Sequence, residues 1–73
     1  MTSQTITFDF FGDSLAVEYT GSVYVSPATG QQHSRLSGAV RAECESYLSA
    51  CGADAAAEAD AIESAIEAAR SAS

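Results

Sequence analysis

The chain has 73 residues, ten of them acidic against three arginines and no lysine, for a net charge of −7. A chain this short makes one small domain, 1–73, and buries only about 60% of the surface its unfolded form exposes. So anionic a surface argues against direct contact with nucleic acid or with an anionic membrane, and steers the protein toward basic partners.

No stretch approaches the ~18 apolar residues of a membrane span, and Met1 to Gln4 has neither a basic n-region nor an apolar h-region. A soluble intracellular protein is the expectation. Large apolar side chains are few, and fifteen alanines supply much of the remaining hydrophobic count. Alanine favours helix and lets helices approach closely, but it adds little buried area.

Residues 4–11 and 14–19 alternate with period two about Gly12-Asp13, a dipeptide suited to a two-residue hairpin loop. Closing that loop sets Phe11 opposite Ser14, Phe10 opposite Leu15, Phe8 opposite Val17 and Ile6 opposite Tyr19. All the large pairs then share one face, with Thr7, Asp9, Ala16 and Glu18 on the other.

A third strand is expected over 23–26. A three-residue turn at Thr20-Gly21-Ser22 puts Val23 and Val25 on the core face and is preferred. A two-residue turn at Gly21-Ser22 puts Tyr24 there instead and leaves Phe11, Ala16, Val23 and Val25 as a second apolar face to be covered. Pro27-Ala28-Thr29-Gly30 reads as a turn, and Gln31-Gln32-His33 as loop.

From Ser34 the period becomes helical. Leu36, Val40, Cys44, Tyr47, Leu48 and Cys51 form one stripe of a helix over 35–51, with Ser34 or Ser37 as N-cap and Gly52 at C′. Asp54 is placed to cap a second helix over 55–70, whose buried stripe is Ala55, Ala59, Ile62, Ile66 and Ala69. The fold class predicted is α+β: an antiparallel sheet of two to three strands followed by an antiparallel α-helical hairpin on one face, in the order βββαα.

Catalytic signatures are absent. His33 is the single histidine and reads as a loop or capping residue; no glycine-rich phosphate loop and no calcium loop is present, so neither enzyme activity, cofactor nor metal is expected. Cys44 and Cys51 lie seven residues apart on one helix, roughly 10 Å along its axis, too far for a disulfide. Both are expected to be buried small hydrophobes.

The acids do have a pattern. Asp60, Glu63 and Glu67, at i, i+3 and i+7, share an outward flank of the second helix with Arg70 nearby. On the first helix Glu45 is spaced to pair with Arg41, while Glu43 has no opposite charge at helical spacing and sits at the edge of the apolar stripe. Asp9, Asp13 and Glu18 are the sheet's share. Asp60, Glu63, Glu67, Asp9, Glu18 and Glu43 are therefore the candidate partner-binding residues. Competing readings of the same acids are a solubilising surface, lysine-poor coding in a GC-rich genome, and adaptation to high salt.

In size, acidity and strand-then-helix order, the chain resembles the small phage-encoded inhibitors of the anti-CRISPR type and other DNA mimics. The resemblance spans the whole chain, rests on no motif and carries over no residue. What it implies is a mode of action in a host cytoplasm: carboxylates stand in for phosphates and block a basic nucleic-acid-binding host protein or complex. The alternative expectation is a homo-oligomeric structural or interaction module of phage or bacterial origin. There an exposed Phe11, an exposed Tyr24 and the alanine-rich helix would pack against a second copy, and monomer and homodimer both remain open.

Overall fold

A computed structural model describes residues 3–72. Four antiparallel strands, β1 (Gln4–Phe10), β2 (Asp13–Tyr19), β3 (Tyr24–Val25) and β4 (Gln32–His33), form one open sheet in the order β1-β2-β3-β4. Two helices follow, α1 (Leu36–Ala50) and α2 (Ala59–Ala72), the second entered through a 3₁₀ turn over Ala55–Glu58. The α+β class holds, with a sheet one strand larger than expected.

The β1–β2 loop is Phe11-Gly12, with φ of 52° and 80°, so both central residues adopt the left-handed region that a type I′ turn requires. Glycine enters that region freely, whereas Phe11 does so at a cost of roughly 1–2 kcal/mol. The register is Phe10 opposite Asp13, Phe8 opposite Leu15 and Ile6 opposite Val17, which corrects the pairing built on a Gly12-Asp13 loop. Sliding the loop by one residue moves each partner by two. Side chains alternate with period two, so the faces survive the slip. Ile6, Phe8, Phe10 and Val17 are buried, while Leu15 and Tyr19 are half-buried against them.

The β2–β3 connection overturns the preferred three-residue turn. Thr20 N–H donates to the Val23 carbonyl at 3.0 Å across Gly21-Ser22, and Tyr19 faces Tyr24. Tyr24 thus belongs to the helix-facing side, half-buried, its ring 4.7 Å from that of Tyr19, and is not the exposed aromatic anticipated. Val25 sits opposite Glu18 on the other face. The four-residue loop Pro27 to Gly30 is closed by Ser26 N–H donating to the Gln31 carbonyl at 3.0 Å, and pairs β3 with β4 where loop was expected.

The N-cap of α1 is Arg35, whose side chain makes no capping bond; neither Ser34 nor Ser37 serves there. The end of the helix follows the expectation. Gly52 N–H donates to the Ser49 carbonyl at 3.1 Å and Ala53 N–H to the Leu48 carbonyl at 2.8 Å, a Schellman closure with Gly52 at C′. Near the start of α1, Gly38 lets the helix approach β4: a Cβ there would lie 3.2 Å from His33 Nδ1.

Asp54 is a cap, its carboxylate accepting from Ala56 N–H at 3.1 Å, but what it caps is the 3₁₀ turn Ala55–Glu58 and not an α-helix running from residue 55. The 3₁₀ turn winds with three residues per turn, so the phase of α2 is reset after it. Ile62, Ala65, Ile66 and Ala69 are buried, Ala55 is half-buried, and Ala59, assigned to the stripe on helical spacing, is exposed. Helix α2 packs on β1, α1 packs on β2 and the short strands, and the two helices contact each other. The core lies between this helical layer and the Ile6, Phe8, Phe10 and Val17 face of the sheet.

Candidate functional site

Eight of the ten carboxylates are exposed among the described residues, while Glu58 is half-buried and Glu43 buried. Asp60, Glu63 and Glu67 stand on the exterior of α2, as their spacing requires. Glu63 Oε1 meets Arg41 Nη2 at 3.3 Å, and Glu67 Oε1 meets Arg70 Nη1 at 3.3 Å. The Arg41 contact differs from the expected Arg41–Glu45 pair: the guanidinium reaches across to α2, a contact between helices that spacing within one helix does not encode.

Asp9 and Glu18 lie on the opposite side of the molecule. They alternate with the buried Phe8, Phe10 and Val17 and so point away from the helices. Asp9 faces Ser14 and Glu18 faces Thr5, which sets the two acids four residues apart along the sheet, roughly 13 Å. The candidate acids therefore form separate groups on two faces.

Glu43 leaves the set. It is 7% exposed, and its Oε1 accepts from Ser26 Oγ at 2.6 Å and from Ala28 N–H at 2.7 Å. Ser26 is itself fully buried. A charged residue at the edge of an apolar stripe has become a tie between α1 and the β3–β4 hairpin, and it is satisfied by donors from a loop distant in sequence. Its carboxylate is not available to a partner.

The two cysteines part company. Cys44 is fully buried, and burial, joined by the neighbouring Glu43 carboxylate, pushes its thiol up to about 12. Cys51 is exposed at the C-cap of α1, contrary to the expectation of burial, because the helix ends there and the chain turns away at Gly52. His33 is half-buried on β4, and its Nε2 is buried with no hydrogen-bond partner among the described residues. Among those residues, no three of His, Cys, Asp and Glu come together as a metal-binding group.

One concavity was not anticipated. Phe11, Tyr47, Leu48, Cys51, Ala53 and Glu58 line a cavity of 270 Å³ between the β1–β2 hairpin tip and the C-terminal end of α1. Tyr47 donates its hydroxyl to Asp13 Oδ2, and that bond, with burial, pushes the phenol up to about 12. Phe10 holds both aromatic neighbours edge-on, Phe11 at 4.7 Å and Tyr47 at 5.5 Å between ring centres. Phe11 remains 57% exposed. The available sequence signal was the position of Gly12: as the second loop residue of a type I′ turn it forces Phe11 to the tip.

No family model, curated protein or solved structure matches this chain. No described helix is long and apolar enough to cross a membrane.

Proposed function

We propose that the protein is a non-enzymatic, acidic inhibitor that docks on the basic surface of a nucleic-acid-binding protein or complex and competes with nucleic acid for it. The observation that carries this reading is the exposure of eight carboxylates on a chain with three arginines and no lysine. Such a surface steers association with a cationic groove and repels phosphate. The anti-CRISPR and DNA-mimic mode of action is the specific form of the proposal, with the antiparallel helical hairpin as the frame that presents Asp60, Glu63 and Glu67.

The test is affinity capture from a cell extract, followed by challenge with salt and with nucleic acid. Capture of a basic protein that is released by both supports the reading; capture indifferent to both ends it. Charge neutralisation at Asp60→Asn, Glu63→Gln and Glu67→Gln is a cleaner probe than reversal to lysine, which would set lysine beside Arg41 and Arg70 and disturb the fold as well as the partner. The exposed Phe11 favours a second reading, self-association through the hairpin tip. A native mass that doubles with concentration, without any acceptor protein, would select it.

A further inference from the structure

The 270 Å³ cavity between the hairpin tip and the end of α1 falls just below the ~300 Å³ at which small-molecule sites begin, and is of side-chain size. Its chemistry is selective. Phe11 and Tyr47 supply aromatic rings, Leu48 and Ala53 apolar surface, and Glu58 a half-buried carboxylate. Asp13 adds a second carboxylate behind Tyr47. The cavity also abuts the negative pole of α1, whose last turn contains no basic residue. Among the described residues, no cationic side chain lines it.

An aromatic wall, a carboxylate and a helix C-terminus with no basic residue in its last turn together select a cation with an apolar stem. Arginine fits better than lysine, because its guanidinium is weakly hydrated and stacks on aromatic faces while the aliphatic part covers apolar surface. Phe11 reinforces the case. It is held in left-handed backbone at φ 52° and left 57% exposed, so the fold accepts strain at this point to present a ring to solvent.

We propose that this cavity receives an arginine side chain of the basic partner, with the guanidinium between the Phe11 ring and the Glu58 carboxylate and the stem on Leu48 and Ala53. The proposal rests on the reading of the chain as an acidic docking protein and adds the anchor of that contact. Aromatic pockets that desolvate an arginine are the usual centres of binding energy in interfaces, whereas exposed acids mainly steer.

The probe is Nα-acetyl-arginine N-methylamide, titrated into the full ¹⁵N-labelled chain beside its neutral isostere, the citrulline derivative. Binding on the order of millimolar is expected for a ligand of this size. The arginine compound should shift the amides of Phe11, Cys51, Ala53 and Glu58, and should slow alkylation of the exposed Cys51 by iodoacetamide. The citrulline compound should do neither. Phe11→Ala and Glu58→Gln should each weaken binding by about threefold to tenfold. Equal effects of arginine and citrulline, or arginine shifts confined to Asp60, Glu63 and Glu67, would overturn the anchor; the second result would leave acidic docking standing. Absence of shifts at both places would overturn the anchor, while acidic docking would stand or fall by the salt and nucleic-acid challenge. A rise in native mass that buries Phe11 without added ligand would assign the cavity to a second copy instead.

Discussion

Tyr47 and Cys44 link single side chains to the stability of the whole chain through their proton affinities. Both groups are pushed up to about 12 in the fold, Cys44 mainly by burial and Tyr47 mainly by its bond to Asp13, from 9.0 and 10.0 for the free groups. Above pH 9 the unfolded chain releases protons that the native chain retains. Stability contributed by these groups is therefore complete below pH 9 and is lost as pH rises toward 12. Denaturation midpoints should fall between pH 8 and pH 11, and Tyr47→Phe should flatten the part of the decline above about pH 10. A midpoint that is constant or rising over that range would contradict the assignment. Cys51, by contrast, was expected to be buried with Cys44; the two diverge because the heptad places them on one stripe, yet the helix runs out before the second reaches the core.

Elements show how local patterns and distant contacts divide the work. The β1–β2 hairpin was legible because period-two alternation of Ile6, Phe8, Phe10 and Val17 survives a two-residue register change. The β3–β4 hairpin was not, because strands of two residues carry no periodicity and owe their position to contacts made elsewhere. Glu43 is that contact: it accepts from Ser26 Oγ and Ala28 N–H and binds the short hairpin to α1. Glu43→Ala would leave two donors without an acceptor and should cost about 1–3 kcal/mol, whereas Glu43→Gln, which keeps an acceptor oxygen, should cost less. Hydrogen exchange at Ala28 should accelerate in the alanine variant. Unchanged exchange there would show that the hairpin does not depend on this tie.

At the scale of the molecule, a single layer of two helices on one face of a four-stranded sheet leaves little redundancy in the core. Phe8, on the sheet face beneath that layer, is 5% exposed, and Phe8→Ala should cost roughly 3–5 kcal/mol. A domain of this length has a total stability of only about 4–11 kcal/mol, so the variant should melt far below the parent or fail to fold. A small shift in melting temperature would mean that the hairpin face is not the centre of the core. Charge acts on the same scale. With Asp9 and Glu18 on the open sheet face and Asp60, Glu63 and Glu67 on α2, the acids surround the protein, which suits long-range steering more than one shaped contact.

The α+β class, the first hairpin's faces, the Gly52 closure, the Asp54 cap and the exposure of the α2 acids were determined by the sequence itself. Each depends on a period or on a residue acting within a few positions of its neighbours. Tertiary structure alone decided the fate of Glu43, the Arg41–Glu63 contact, the inward turn of Tyr24 and the cavity beside Phe11. In every one of these, the deciding neighbour lies on another element or the outcome hangs on a one-residue difference in a turn. Periodicity reports which face a side chain is on; only the packed chain reports what meets it there.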